Sequence, residues 1–364
     1  MRRSLYPIRA AAIISSIAAA SACSGESGGG VTPPVTEITC NLDRSLLITS
    51  LAPDAIPAIN NPRMVDPADP EASYLRPEDR VLGVVINGQP RAYPHNILWH
   101  HEIINDEVDG ERFSVTFCPL TGSGLAFRPE IDGRQLDLGV SGLLFANNLV
   151  MYDRTEGEVY GPQLMVDGVC ESFVGRSLEL LPLQEMSWER WQALHPDTRV
   201  VTGETGYDRN YQFYPYRDWN DIDNPELYVP LPLDDSRPPK ERILAIRDGD
   251  GGRAYPFLEL AEVGFYAAVN DVVSGVPTAV FYDGRSGEAA LAFDARVGEQ
   301  TLTFETGPEG FWTDTETGSI WSFDGSAVEG PLAGERLTTR SDAYTLFWFA
   351  WTHFQPNGQV FEAP

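Results

Sequence analysis

The sequence predicts a β-rich α+β fold: two tandem homologous domains from an internal duplication, with a few short helices. Three observations carry this. A chain of 364 residues exceeds one ordinary core and suits two domains. Its 33 glycines and 28 prolines demand many turns, while a hydrophobic content of 42% keeps it globular. Finally, landmarks in residues 81–198 return in the same order in residues 242–358.

Ala92-Tyr93-Pro94 returns as Ala254-Tyr255-Pro256, and Asn105-Asp106 as Asn270-Asp271. Asp153 and Tyr160 return as Asp314 and Trp321, and Gly175 and Leu178 as Gly334 and Leu337. The Trp188, Trp191, Pro196 spacing returns as Trp348, Trp351, Pro356. Residues shared by both copies build scaffold; residues private to the first are the candidates for function. At the register of Phe117-Cys118 the second copy has Phe281-Tyr282, and the histidine cluster before Asn105 has no counterpart.

Taken in order, residues 1–22 read as a lipoprotein-type signal peptide. Arg2, Arg3 and Arg9 precede a short apolar run that ends Ala20-Ser21-Ala22-Cys23. Cys23 is then the lipidated first residue of the mature chain, anchored to the bacterial cell envelope on its periplasmic or outer-membrane side. The alternative is an ordinary signal peptide cut nearby. Residues 23–35 form a flexible Gly/Ser linker, 36–219 the first domain, 220–240 a connector, and 241–364 a second, degenerate copy.

Within the first domain, Asn87-Gly88 between two apolar runs predicts a tight hairpin. Pro94 suits the first turn of a short helix reaching about Ile104. Phe113 to Cys118 alternates, with Ser114, Thr116 and Cys118 on one face of a strand. Gly122 and Gly124 mark the next turn. Further strands run through Leu136 to Val140 and Asn148 to Asp153, and a second helix covers Ser187 to Leu194 with Ser187 as cap. Tyr207 to Trp219 reads as an aromatic connector, for packing between domains or as a ligand platform.

A formal charge of -27 repels phosphate backbones and anionic membrane faces, which excludes nucleic acid as a partner. The only membrane contact expected is the lipid on Cys23. Three further cysteines remain, an odd number in an oxidising compartment. The simplest arithmetic pairs Cys40 with Cys170 and leaves Cys118 free.

His95, His100 and His101 fall within seven residues. His101-Glu102-Ile103-Ile104-Asn105 misses the zinc-protease pattern, because asparagine stands where the second ligand belongs. Cys118 leads into a glycine-punctuated turn whose N–H groups can converge on an anion, which would lower a thiol pKa. Two chemistries fit. Cys118 and His101 could hold a soft metal, copper above all, helped by His100 and a thioether such as Met151. Alternatively, Cys118 is a nucleophile with His101 as base. A non-catalytic binding scaffold is the third reading. Asn105, Asp106 and Asp153 recur in the second copy and read as turn and cap residues.

The runs Ala92-Tyr93-Pro94…His101-Glu102-Ile103-Ile104-Asn105-Asp106 and Phe117-Cys118-Pro119-Leu120-Thr121-Gly122-Ser123-Gly124 resemble an exported family of bacteria and haloarchaea, domain of unknown function 3179. Gly139 to Leu144, Asn148 to Asp153 and Phe347 to Trp351 fit the same pattern. The chain departs at Glu158 to Gln163, where family members tend to carry Ser-Leu-Trp before a glutamine. The resemblance implies export and this architecture, and it supplies no activity.

Overall fold

The structure, a computed structural model, describes residues 38–285 and 287–364. The expected signal peptide, the expected Cys23 anchor and the whole linker, residues 23–35, lie outside the described residues.

Asn87 and Gly88 adopt φ of 51° and 74°, the left-handed pair that a two-residue hairpin turn requires. They join the Arg80–Ile86 strand to Gln89–Pro94 in a register running from Ile86↔Gln89 to Val81↔Pro94. Side chains on Arg80–Ile86 alternate between two interiors, because successive residues face opposite sides of a sheet. Leu82 and Val84 join a cluster with Tyr93 and Ile97, whereas Val81 joins Met186 and Trp191. The sheet is therefore buried on both faces.

Helix α1 spans His95–His101 and is shorter than the sequence pattern suggested, because Glu102 takes φ 56° and turns the chain directly into the Ile103–Val108 strand. Helix α2 spans Trp188–Leu194; Ser187 precedes it, but its side chain makes no capping bond. Helices α3, Phe257–Val263, and α4, Trp348–Phe354, complete a β-rich α+β fold with four short α-helices among the described residues.

In the first half, one five-stranded sheet runs in the order Gln184–Ser187, Arg80–Ile86, Gln89–Pro94, Arg199–Val201, Met64–Val65. A second runs Glu179–Leu181, Ser123–Arg128, Glu111–Cys118, Ile103–Val108, Ile59–Asn60. The later half orders its strands in the same sense. One four-stranded sheet is Ala343–Phe347, Arg242–Asp248, Gly251–Pro256, Gln359–Val360, and its last pair is parallel, as Gln89–Pro94 and Arg199–Val201 are. Another contains Tyr266–Val273, Val276–Asp283, Ala289–Asp294 and Thr338–Thr339.

The two halves interlock. Leu125 and Phe127 pack in one cluster with Ile243, Leu346 and Phe347. Val81, Met186 and Trp191 pack in another with Phe281, Leu291 and Phe293. The described residues accordingly form one compact unit. The Trp191 ring lies so close to Gly83 that an added Cβ would stand 2.2 Å from it, so replacing Trp191 by Ala would open a void costing about 3–5 kcal/mol.

Asn105 and Asp106 are strand residues rather than turn or cap residues. Asp106 accepts hydrogen bonds from Arg91 and the Tyr93 hydroxyl, both at 2.5 Å, and Asp271 likewise accepts from Tyr255 at 2.8 Å. Both carboxylates tie a hairpin to the neighbouring sheet. Cys40 and Cys170 are joined by a disulfide, and Cys118 is free and buried.

Candidate functional site

The Glu111–Cys118 strand lies between Ile103–Val108 and Ser123–Arg128. Its polar face is buried, so each polar side chain must find a partner inside the protein. Ser114 donates to Asn105 at 2.6 Å, and Thr116 donates to the Leu125 carbonyl at 3.1 Å. Gln163 uses its whole side-chain amide. Its Nε2 donates to Thr116 Oγ1 at 2.7 Å and to the Ser123 carbonyl at 3.2 Å. Its Oε1 accepts from Ser123 Oγ at 2.8 Å and Asn148 Nδ2 at 3.1 Å. Asn148 also donates to Thr121 Oγ1 at 3.0 Å. These side chains fix the turn that follows Cys118.

Cys118 is fully buried. Its sulfur accepts from the Leu149 amide at 3.3 Å and faces the Asn147 carbonyl at 3.5 Å. Burial, reinforced by the nearby Glu102 carboxyl, pushes the thiol up to about 11; Thr121 and the Leu149 amide offset part of this. The glycine turn was expected to lower the thiol pKa. The opposite holds, because removing the thiolate from water outweighs the donors that reach it.

His101 lies on the chain opposite Cys118: pairing runs from Ile103↔Thr116 to the Phe117 amide, which donates to the Glu102 carbonyl at 2.7 Å. The side chains take separate partners. His101 Nδ1 contacts the Pro57 carbonyl and Nε2 the Tyr211 hydroxyl, each at 2.7 Å. A carbonyl only accepts, so Nδ1 carries the proton and Nε2 accepts from Tyr211. Burial holds this neutral imidazole down at about 4. His100 packs edge-on to Tyr211 with its Nε2 unpartnered, and burial lowers it too. Met151 is buried in the apolar cluster, paired across the sheet with Val140 and Gly161. Among the described residues, no three His, Cys, Asp or Glu side chains are grouped to hold a metal ion.

Glu102 stands closer to the thiol's chemistry. It is buried, and burial raises it to about 8. Its φ of 56° with ψ of -34° is strained for a residue with a side chain. Helix α3, also seven residues long, is followed by Gly264 in extended backbone, so the later half does not repeat this conformation. Tyr216 completes the group: Glu102 and Cys118 both bear on its hydroxyl, which burial raises far above the ordinary range.

Two segments cover the site. Trp219 Nε1 donates to the Leu120 carbonyl at 3.0 Å, and Asn147 and Val229 exchange bonds of 2.9 and 2.8 Å. From the later half, the Phe347 amide donates to the Thr121 carbonyl at 2.9 Å. Tyr211 and Trp219, in the aromatic connector, thus hold His101 and the Cys118 turn in place.

Sequence reasoning passed over Glu102, Asn148 and Gln163 as site residues.

A family model described as "Protein of unknown function (DUF3179)" matches residues 53–358. The chain belongs to this family. No curated protein and no solved structure matches it. The part matched to DUF3179 holds every side chain of the Cys118 site, from Glu102 through Gln163 to Tyr216 and Phe347.

Proposed function

We propose that this DUF3179 chain is an exported, envelope-anchored protein with a cysteine-dependent activity, in which Cys118 is the nucleophile and Glu102 its proton acceptor. The observation that carries this is Glu102: a buried carboxyl on left-handed backbone whose charge bears on the one free thiol among the described residues. Such strain persists where the surrounding structure enforces it and concentrates at functional sites. His101 is not given the base role, because both ring nitrogens are engaged. Copper on Cys118, His101, His100 and Met151 is set aside because both His101 nitrogens are engaged and Met151 lies in the apolar core.

In the proposed step the S–H proton passes to the Glu102 carboxylate while the sulfur bonds to an electrophilic centre of the substrate. The bond to the leaving group breaks, and that group takes the proton back from Glu102. The Leu149 amide and Thr121 favour the sulfur anion during transfer. Internal duplication belongs to the same reading: residues 36–219 keep the site, residues 220–240 connect, and residues 241–364 are a copy that buttresses it. Matching strand orders and the paired helices support this. Anchoring through Cys23 is tested by membrane fractionation of wild type and Cys23→Ala.

The activity is tested by incubating the folded, disulfide-intact protein with small thioesters, disulfides and peroxides and weighing the intact chain. A covalent adduct or oxidised product confined to Cys118, and much slower to form in Glu102→Gln, supports the proposal. No adduct with any electrophile class, or equal rates in the variant, would count against it.

A further inference from the structure

Where the two halves meet, a cavity of about 480 Å³ is lined by charged side chains from both. Phe117, Pro119 and Gly122 form part of its wall, but Cys118 does not. Arg80 and Arg242 begin corresponding strands, Arg80–Ile86 and Arg242–Asp248, and so reach the cavity from the two halves.

Each arginine is only partly satisfied. Arg80 Nε donates to Glu185 Oε1 at 2.7 Å and its Nη1 to the Glu288 carbonyl at 2.7 Å, while Nη2 has no partner. Arg242 Nη2 donates to Glu288 at 3.1 Å, while Nη1 has none. Glu185, 4% exposed, keeps Oε2 without a hydrogen bond, and His95, 6% exposed, has its Nε2 3.5 Å from Glu185 Oε1 but makes no hydrogen bond with it. Buried polar atoms are ordinarily paired. Here four residues lining one cavity each keep one buried polar atom without a hydrogen bond: Arg80 Nη2, Arg242 Nη1, Glu185 Oε2 and His95 Nε2. The rest of the lining is largely apolar and aromatic, including Trp99, Tyr214, Phe257, Leu258 and Phe347.

We propose that this cavity binds a small zwitterion, an α-amino acid with an apolar or aromatic side chain. Its carboxylate takes the free nitrogens of Arg80 and Arg242, its ammonium takes Glu185 Oε2, and its side chain lies against the aromatic wall. A simple anion fits less well, because Glu78, Asp79, Glu185 and Glu288 line the same space. A ligand of no net charge also meets no long-range repulsion from a chain of net charge -27.

Calorimetric titration of the full chain with L-phenylalanine, 3-phenylpropanoate and 2-phenylethylamine tests this. The expected result is saturable binding of L-phenylalanine, with each one-charge analogue weaker roughly tenfold or more. Glu185→Gln and Arg242→Gln, with folding checked by circular dichroism, weaken L-phenylalanine by a similar factor. Absence of heat from wild type at millimolar amino acid, or equal binding of 3-phenylpropanoate, would overturn the assignment. Cys118→Ala binds L-phenylalanine as wild type does, so failure here and failure of the thiol chemistry are separately visible.

Discussion

Phe347 closes the turn that follows Cys118: its amide donates to the Thr121 carbonyl at 2.9 Å, and its ring stands 2.8 Å from where a Cβ on Gly122 would lie. Gly122 also has φ 63°, which disfavours any side chain. Gly122→Ala therefore loses about 1–3 kcal/mol by strain and overpacking, and Phe347→Ala about 3–5 kcal/mol by leaving a void. Urea denaturation checks both values. Each variant also exposes Cys118 to alkylation faster than wild type.

Glu102 gives the protein a pH dependence of known sign. Its folded value, about 8, lies above the ordinary 4.5, so between these limits the unfolded chain releases a proton that the folded chain keeps. This contribution to stability is present below pH 4.5 and lost as pH rises through 8. Glu102→Gln abolishes the loss and gains roughly 3–5 kcal/mol over wild type between acid and alkaline limits. Denaturation midpoints measured against pH should show the two curves separating upward from pH 4.5.

His101 works in the opposite direction. Burial depresses it from 6.5 to about 4, so stability falls as pH drops through that window and the unfolded chain takes up a proton. In Tyr211→Phe the hydroxyl that donates to Nε2 is gone, and the His101 pKa moves back toward 6.5. NMR titration of the imidazole ring protons reads this directly.

The Cys40–Cys170 bridge closes a separation of 130 residues. Reduction, or the double substitution to Ser, lowers stability by about 2–5 kcal/mol. A thermal melt with and without reductant measures it.

Much of this fold was legible because its signals are local. Asn87-Gly88 demands left-handed backbone, and the matching tryptophan spacings mark α2 and α4. The site was half legible. Cys118 stood out as private to the first half, but the sequence does not show that its strand's polar face is sealed by Asn148, Gln163, the Trp219 segment and Phe347. Burial of that kind comes from contacts between residues far apart in the chain, and it reverses the expected thiol shift. The pairing of His101 with Cys118 failed as geometry for the same reason. Nearness along the backbone says nothing about Pro57 and Tyr211, which take the imidazole first.

The central claim, that Glu102 takes the Cys118 proton, is tested most directly by the pH–rate profile of Cys118 alkylation by iodoacetamide under native conditions, followed by intact mass. Wild type should show a limb with an inflection near pH 8, where Glu102 ionises, ahead of the thiolate limb near pH 11. Glu102→Gln should lack the lower limb and keep the thiolate limb. Superimposable profiles for the two proteins would contradict the account.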